Sequence, residues 1–208
     1  MLIKLKYLFL LSFLLSLLMI SGCSLGPEKR DPPAVFDLGP QRNVAANPPA
    51  RDSGATWLIP AVSASPWLDS QNIMYRLTYR DAGRPEAYAQ NRWAMSPALL
   101  LTERLRSRFA AAARGVVSTQ DGAKADFSLR IELEDFSQSF DAADTSKVTV
   151  RLRASLIDLN TRALHAQRTF NVERPAAPNA PGAAQSLATA SDAVIEEIVA
   201  WATRSPAK

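Results

Sequence analysis

The single cysteine of the chain, Cys23, stands directly after Ile20-Ser21-Gly22 at the end of an apolar run, so covalent sulfur chemistry can take place only there. Acid–base chemistry is as sparsely equipped. The one histidine, His165, falls on the polar phase of a run of alternating residues with no matching carboxylate beside it, and a Ser-His-Asp triad would have to use it. The carboxylates Glu132, Glu134 and Asp135 alternate sides along the same kind of run and do not converge, so no spacing suggests a metal site. Eight glycines are scattered, and none sits in a phosphate-cradling loop. Acid pairs of the glycosidase type meet only in the folded chain, which leaves that one route open at the level of sequence. The expectation is a non-enzymatic protein with no metal and no cofactor.

The surroundings of Cys23 give it a different chemistry. Lys4 and Lys6 precede a run from Tyr7 to Ile20 built mostly of Leu, Phe and Ile, and the run ends in small residues, the layout of a secretory signal. At about 14 residues it is shorter than the roughly 20 that a spanning helix needs. Ile20-Ser21-Gly22-Cys23 resembles a bacterial lipobox. That resemblance implies a diacylglyceryl thioether on Cys23, cleavage before it, and acylation of the freed amine. Buried acyl methylenes contribute about 0.8 kcal/mol each, and more than one chain gives stable anchoring, so such a Cys23 would hold the protein on a membrane. Ser24 stands where an aspartate would favour retention at the inner membrane, which points to the outer membrane, facing the periplasm. With its one cysteine acylated, the mature chain forms no disulfide even in an oxidising compartment.

Of 208 residues, residues 1–22 read as the signal and 23–33 as a lipidated tether. Residues 34–204 read as one ordinary domain, and 205–208 as a short tail. The tether carries Gly26, Pro27, Pro32 and Pro33, and about ten flexible residues reach on the order of 17 Å, enough to lift a domain off the headgroups. Losing residues 1–22 removes two lysines and no acid from a chain of formal net charge +4, leaving +2. Those charges are interspersed, which excludes a nucleic-acid partner. Gln41 to Gly54 and Arg174 to Gly182, rich in Pro with Asn or Ala, are expected to be loops.

The domain alternates with period two in several places. Phe127, Leu129, Ile131 and Leu133 oppose Ser128, Arg130, Glu132 and Glu134; Val148, Val150, Leu152, Ala154 and Leu156 oppose Lys147, Thr149, Arg151, Arg153 and Ser155. A third run, with Leu164, Ala166, Phe170 and Val172 inward, follows a turn at Asn160-Thr161 and completes an antiparallel meander. Phe136 and Phe140 fall on the wrong phase, and a bulge near Asp135 would return them to the core. Ile73 to Tyr79 is a further strand, with Val35 to Leu38 and Thr56 to Val62 as shorter ones. One helix starts at Ser96-Pro97, buries Leu101, Leu105, Phe109 and Ala112, and stops at Gly115. A second runs from Ala183 to Ala202 with Leu187, Ser191, Val194, Ile198 and Trp201 inward and Asp192, Glu196 and Glu197 facing water. The predicted fold is α+β, an antiparallel sheet with two helices packed on one face.

The middle of the chain is rich in aromatics and arginine: Trp67-Leu68-Asp69, Asn72-Ile73-Met74-Tyr75-Arg76, Tyr88, Arg92-Trp93-Ala94 and Ser96-Pro97. Together with Phe36-Asp37-Leu38-Gly39, the meander, and a closing helix carrying Ile198 and Trp201, these motifs resemble the ABC-type transport auxiliary lipoproteins, the PqiC-like group. The insertion Gln41 to Ala55 departs from that pattern. The resemblance implies a lipid-anchored accessory to an ABC transporter or membrane permease, working with an MCE-domain protein to move lipids or other apolar molecules between the envelope membranes, and a possible homo-oligomeric ring. The alternatives are an assembly or pilot lipoprotein of another envelope machine, and a lipid-modified hydrolase. Trp67, Tyr88, Arg92 and Trp93 are the expected partner-binding residues, being of the types enriched at interface hot spots; the same aromatics would also suit the core around the first helix.

Overall fold

The computed structural model describes residues 32–41 and 54–204. The signal, Cys23, nearly all of the tether, the tail and most of the Gln41 to Ala55 insertion lie outside the described residues. The elements are β1 (Ala34–Phe36), β2 (Thr56–Leu58), β3 (Ser63–Ala64), β4 (Asn72–Leu77), β5 (Pro85–Trp93), α1 (Pro97–Ala112), β6 (Gly115–Val117), β7 (Phe127–Ala142), β8 (Thr145–Asp158), β9 (Leu164–Ala176) and α2 (Ala180–Arg204).

The meander is the backbone of the sheet. Strands β7, β8 and β9 pair antiparallel over nearly their whole lengths, and Val148, Val150, Leu152, Ala154 and Leu156 are completely buried on the inner face. The register between β7 and β8 slips at Glu134: Leu133 faces Leu152, but Asp135 faces Arg151. That bulge puts Phe136, Gln138 and Phe140 on the inner phase, as the parity break in the sequence predicts. The turn into β9 is closed by Asp158, whose Oδ1 accepts the amide hydrogens of Asn160 (2.8 Å) and Thr161 (3.0 Å), an interaction that lowers its pKa.

The rest of the sheet is mixed rather than wholly antiparallel. The outer edge of β7 is shared in tandem by three short strands, β2 at Phe127, β3 at Glu132 and β4 at Ser137, all running parallel to it. From β2 the sheet extends to β6, and from β4 through antiparallel β5 to β1, which lies parallel to β5. Thus β7 carries two arms at its two ends, and α1 connects β5 in one arm to β6 in the other. Both helices join the inner face in one apolar core, with Leu101, Leu105 and Phe109 of α1 beside Leu187, Val194 and Ile198 of α2.

Several boundaries differ from expectation. The segment Arg174 to Gly182 is not a loop: β9 continues to Ala176, and Pro175 is accommodated because β9 is an edge strand. Only three residues then intervene before α2. Asn179 starts that helix, its Oδ1 accepting the Gly182 amide hydrogen at 2.8 Å, while Pro181 occupies the first turn, where no intrahelical donor is needed. Helix α1 begins after Ser96 as expected, yet the Ser96 hydroxyl makes no capping bond, and the helix ends at Ala112 rather than at Gly115.

Candidate functional site

The expected partner-binding residues are carried by the β3–β4 turn and by β5, and they separate into distinct environments. Trp67, half-buried in the turn, has the Arg76 guanidinium 5.0 Å from its ring centroid. Tyr88 is half-buried, with its ring centroid 4.6 Å from that of Tyr75. Its hydroxyl donates to Gln138 Oε1 at 2.6 Å. Gln138 is fully buried, and its amide nitrogen donates in turn to Ser146 Oγ (2.7 Å) and to the Ala177 carbonyl (2.9 Å). Burial, with the adjacent Tyr75, pushes the Tyr88 phenol up to about 12. The Tyr75 hydroxyl donates to Glu86 at 2.7 Å, and this bond raises its own pKa.

Trp93 requires a correction. It is fully buried, packed edge-on against Phe136 with ring centroids 5.5 Å apart, and therefore cannot meet a partner in the folded protein. Its indole N–H finds no acceptor among the described residues. The cause is local: the β4–β5 register shifts between Asn72 and Met74, which turns Trp93 toward the core and leaves its neighbour Arg92 outward. The four residues therefore do not form one patch. Arg92 is the exposed member, paired in register with Val35 of β1.

Val35 borders a feature that the sequence did not announce. A groove of about 470 Å³ runs between the chain at β1 and the start of α2, with Val35, Phe36 and Leu38 on one wall and Pro181, Ala184 and Ala188 on the other. Val35 is 54% exposed at its mouth. The wall is formed by the Phe36-Asp37-Leu38-Gly39 motif: Asp37 Oδ1 accepts the Gly39 amide hydrogen at 2.7 Å, and Gly39 adopts a φ of 70°, a left-handed turn that suits glycine. Arg104 of α1 holds this turn. Almost wholly buried, it donates to the carbonyls of Leu38 (2.7 Å) and Gly39 (2.5 Å) and to Asp192 of α2 (2.6 Å). One turn further along both helices, Arg108 meets Glu196 at 3.2 Å. Asp192 is thus a partner of a buried cation, not the water-facing residue expected.

His165 lies exposed on β9, with its ring 6.3 Å from that of Phe127, and among the described residues no three His, Cys, Asp or Glu side chains gather where they could hold a metal ion. No helix among the described residues is long and apolar enough to cross a membrane.

A family model described as "ABC-type transport auxiliary lipoprotein component" matches residues 36–199. No curated protein matches the chain significantly. Among solved structures, a Xanthomonas campestris protein of the DUF330 family superposes with a TM-score of 0.70 at 22% identity, covering 83% of this chain and 95% of that one. An uncharacterized protein superposes at 0.56 and 16% identity, covering 81% and 99%. A hypothetical protein from Chlamydia trachomatis gives 0.50 and 9%, covering 74% and 98%. At these identities the structures share the fold.

Proposed function

We propose that this chain, which belongs to the family of ABC-type transport auxiliary lipoprotein components, is anchored through acylated Cys23 to the outer membrane and there docks an MCE-domain protein and its ABC transporter. The system moves lipids or other apolar molecules between the two envelope membranes, and this protein serves it by binding. The carrying observation is the family match over residues 36–199. Two features support the finer reading. The sequence Ile20-Ser21-Gly22-Cys23 supplies an anchor, and an ordered domain on a short tether can be presented to a partner only from the membrane that holds its lipid. The docking surface is then the exposed Arg92 and Val35, neighbours across the β1–β5 pair, with the groove that Val35 lines, arginine being a residue type enriched at interface hot spots. Trp67, with Arg76 against its ring, extends the set of candidate contacts.

The test is in-cell crosslinking followed by purification of the tagged full-length protein from membranes. The wild type should bring down an MCE-domain protein with permease and ATPase subunits. Val35→Asp and Arg92→Glu should each lose them while leaving the melting temperature nearly unchanged, since both side chains are on the surface. Recovery of secretin or lipopolysaccharide-export components instead would replace this reading with the pilot-lipoprotein one. Intact mass of the membrane-extracted protein checks the anchor: a mature species beginning anywhere but Cys23 overturns it.

A further inference from the structure

We infer that Gln138, buried in β7, sets the width of the groove between β1 and α2 by fixing where α2 begins. The inference rests on the reading of that groove as a docking surface and names the residue that holds one of its walls. An amide is out of place at this position: its neighbours along the inner phase of β7 are Leu133, Phe136 and Phe140, all buried, and Gln138 itself is fully buried. An apolar side chain would fill the space with no hydrogen bonds to satisfy. What the amide adds is direction. Tyr88 donates to its oxygen at 2.6 Å, which turns the nitrogen toward Ser146 Oγ (2.7 Å) and the Ala177 carbonyl (2.9 Å), an acceptor for each of its two hydrogens. Ser146 donates in turn to the Ala176 carbonyl at 2.9 Å. Two consecutive carbonyls are therefore gripped from the sheet.

Those carbonyls lead into α2. Only Ala177, Pro178 and Asn179 separate β9 from the helix, and Asn179 caps it. Gly182, in the first turn, packs so closely on Ala177 that a Cβ placed on it would stand 2.6 Å from the Ala177 Cβ and 2.7 Å from its carbonyl oxygen. The connection and the helix start thus move as one body. Pro181 and Ala184, from the same part of α2, form the groove wall. Contact runs unbroken from Gln138 through Ala177 and Gly182 to that wall.

The other end of the groove is held by different means. Arg104 ties the Leu38–Gly39 wall to Asp192 of α2, which lies about 16 Å along the helix axis from Pro181. With that end pinned, loss of the grip on Ala177 lets the start of α2 swing about Asp192, and the groove changes width at its Val35 end alone. Gln138 and Arg104 are positioning residues for opposite ends of one site.

The test is a pair of distances in the full-length protein in membranes, read by electron–electron double resonance between nitroxide labels, with single-label samples removing any contribution of Cys23. Labels at Ala34→Cys and Gln185→Cys span the Val35 end, and labels at Pro40→Cys and Thr189→Cys span the Asp192 end; all four side chains are exposed. Gln138→Met keeps the length of the side chain and removes its donors. It should shift or broaden the first distance by about 1–2 Å and leave the second as in the wild type. Gly182→Ala, which forces Ala177 and the helix apart without touching Gln138, should move the same first distance. Leu156→Ala, a cavity at the far end of β8, should lower the melting temperature and move neither distance. An unmoved first distance in Gln138→Met or in Gly182→Ala, or an equal movement in Leu156→Ala, overturns the inference. Recovery of the MCE-domain partner by in-cell crosslinking on the same variants separates the two readings: a moved wall with undiminished recovery keeps Gln138 as the positioning residue and sinks the docking role of the groove.

Discussion

At the scale of single residues, two polar side chains inside the core decide more than the exposed aromatics do. Gln138 is buried with every group of its amide engaged, and Tyr88 supplies the hydrogen for its oxygen. Tyr88→Phe leaves that oxygen without a donor and should cost about 1–3 kcal/mol in urea unfolding. The same phenol gives a pH signature. Below about pH 10 both the folded and the unfolded chain keep the proton; between about 10 and 12 only the unfolded chain releases it. Stability falls with rising pH across that window, and Tyr88→Phe should flatten this part of the fall, which thermal melts from pH 9 to 12 will show. Arg104 is the second residue. Arg104→Ala strands the carbonyls of Leu38 and Gly39 and the carboxylate of Asp192, and should cost about 3–5 kcal/mol; Asp192→Asn should cost less, because Arg104 keeps its two carbonyl acceptors. A double-mutant cycle measures the difference. Neither role was legible in the sequence. Arg104 and Arg108 share the i, i+4 spacing of Asp192 and Glu196, but nothing local announces that two segments 88 residues apart will lie side by side. Trp93 shows the opposite failure: its type suits an interface equally well as a core, and only the irregular β4–β5 register decides for the core.

At the scale of elements, the long alternating runs were readable, and so were short strands within Val35 to Leu38 and Thr56 to Val62, but β3, β5, β6 and the pairing of the short strands were not. The meander, both helices and the bulge followed from periodicity, because a one-residue parity break in Phe136 and Phe140 has few other physical resolutions. The bulge makes a sharp prediction. Deleting Glu134 would swing Phe136, Gln138 and Phe140 to the outer face and should abolish cooperative folding, whereas Glu134→Ala removes only a half-exposed ion pair with Arg153 and should change stability by no more than about 1 kcal/mol. Circular dichroism melts of the two variants check it. Strands β2 and β3 have three and two residues, too few to carry a period, and their parallel pairing with β7 depends on tertiary contact. Pro175 misled for a related reason: proline marks a loop unless the strand is at an edge, and edge position belongs to the whole sheet.

At the scale of the molecule, the domain is a long meander with two arms attached along one strand: one arm ends in β1 and its groove, the other in the half-buried three-residue β6. The family assignment was readable because it rests on the order of motifs along the chain, which survives even where Trp93 and Phe36–Gly39 prove to be structural. The shared edge of β7 also governs the order of assembly. The amide of Thr56 binds the Asp126 carboxylate across 70 residues, Ser63 reaches Ile131 across 68, and Thr78 reaches Phe140 across 62. Ribosomal synthesis delivers residues 56–77 well before the strand they must line up against, so the first half of the chain emerges with no template. The meander, whose hairpins close over short turns, is the part that can form by itself, and the earlier strands can only be captured by it afterwards at the greater entropic cost of closing long loops. The domain thus delays its own folding, its first strands waiting unpaired until nearly all of it has been made.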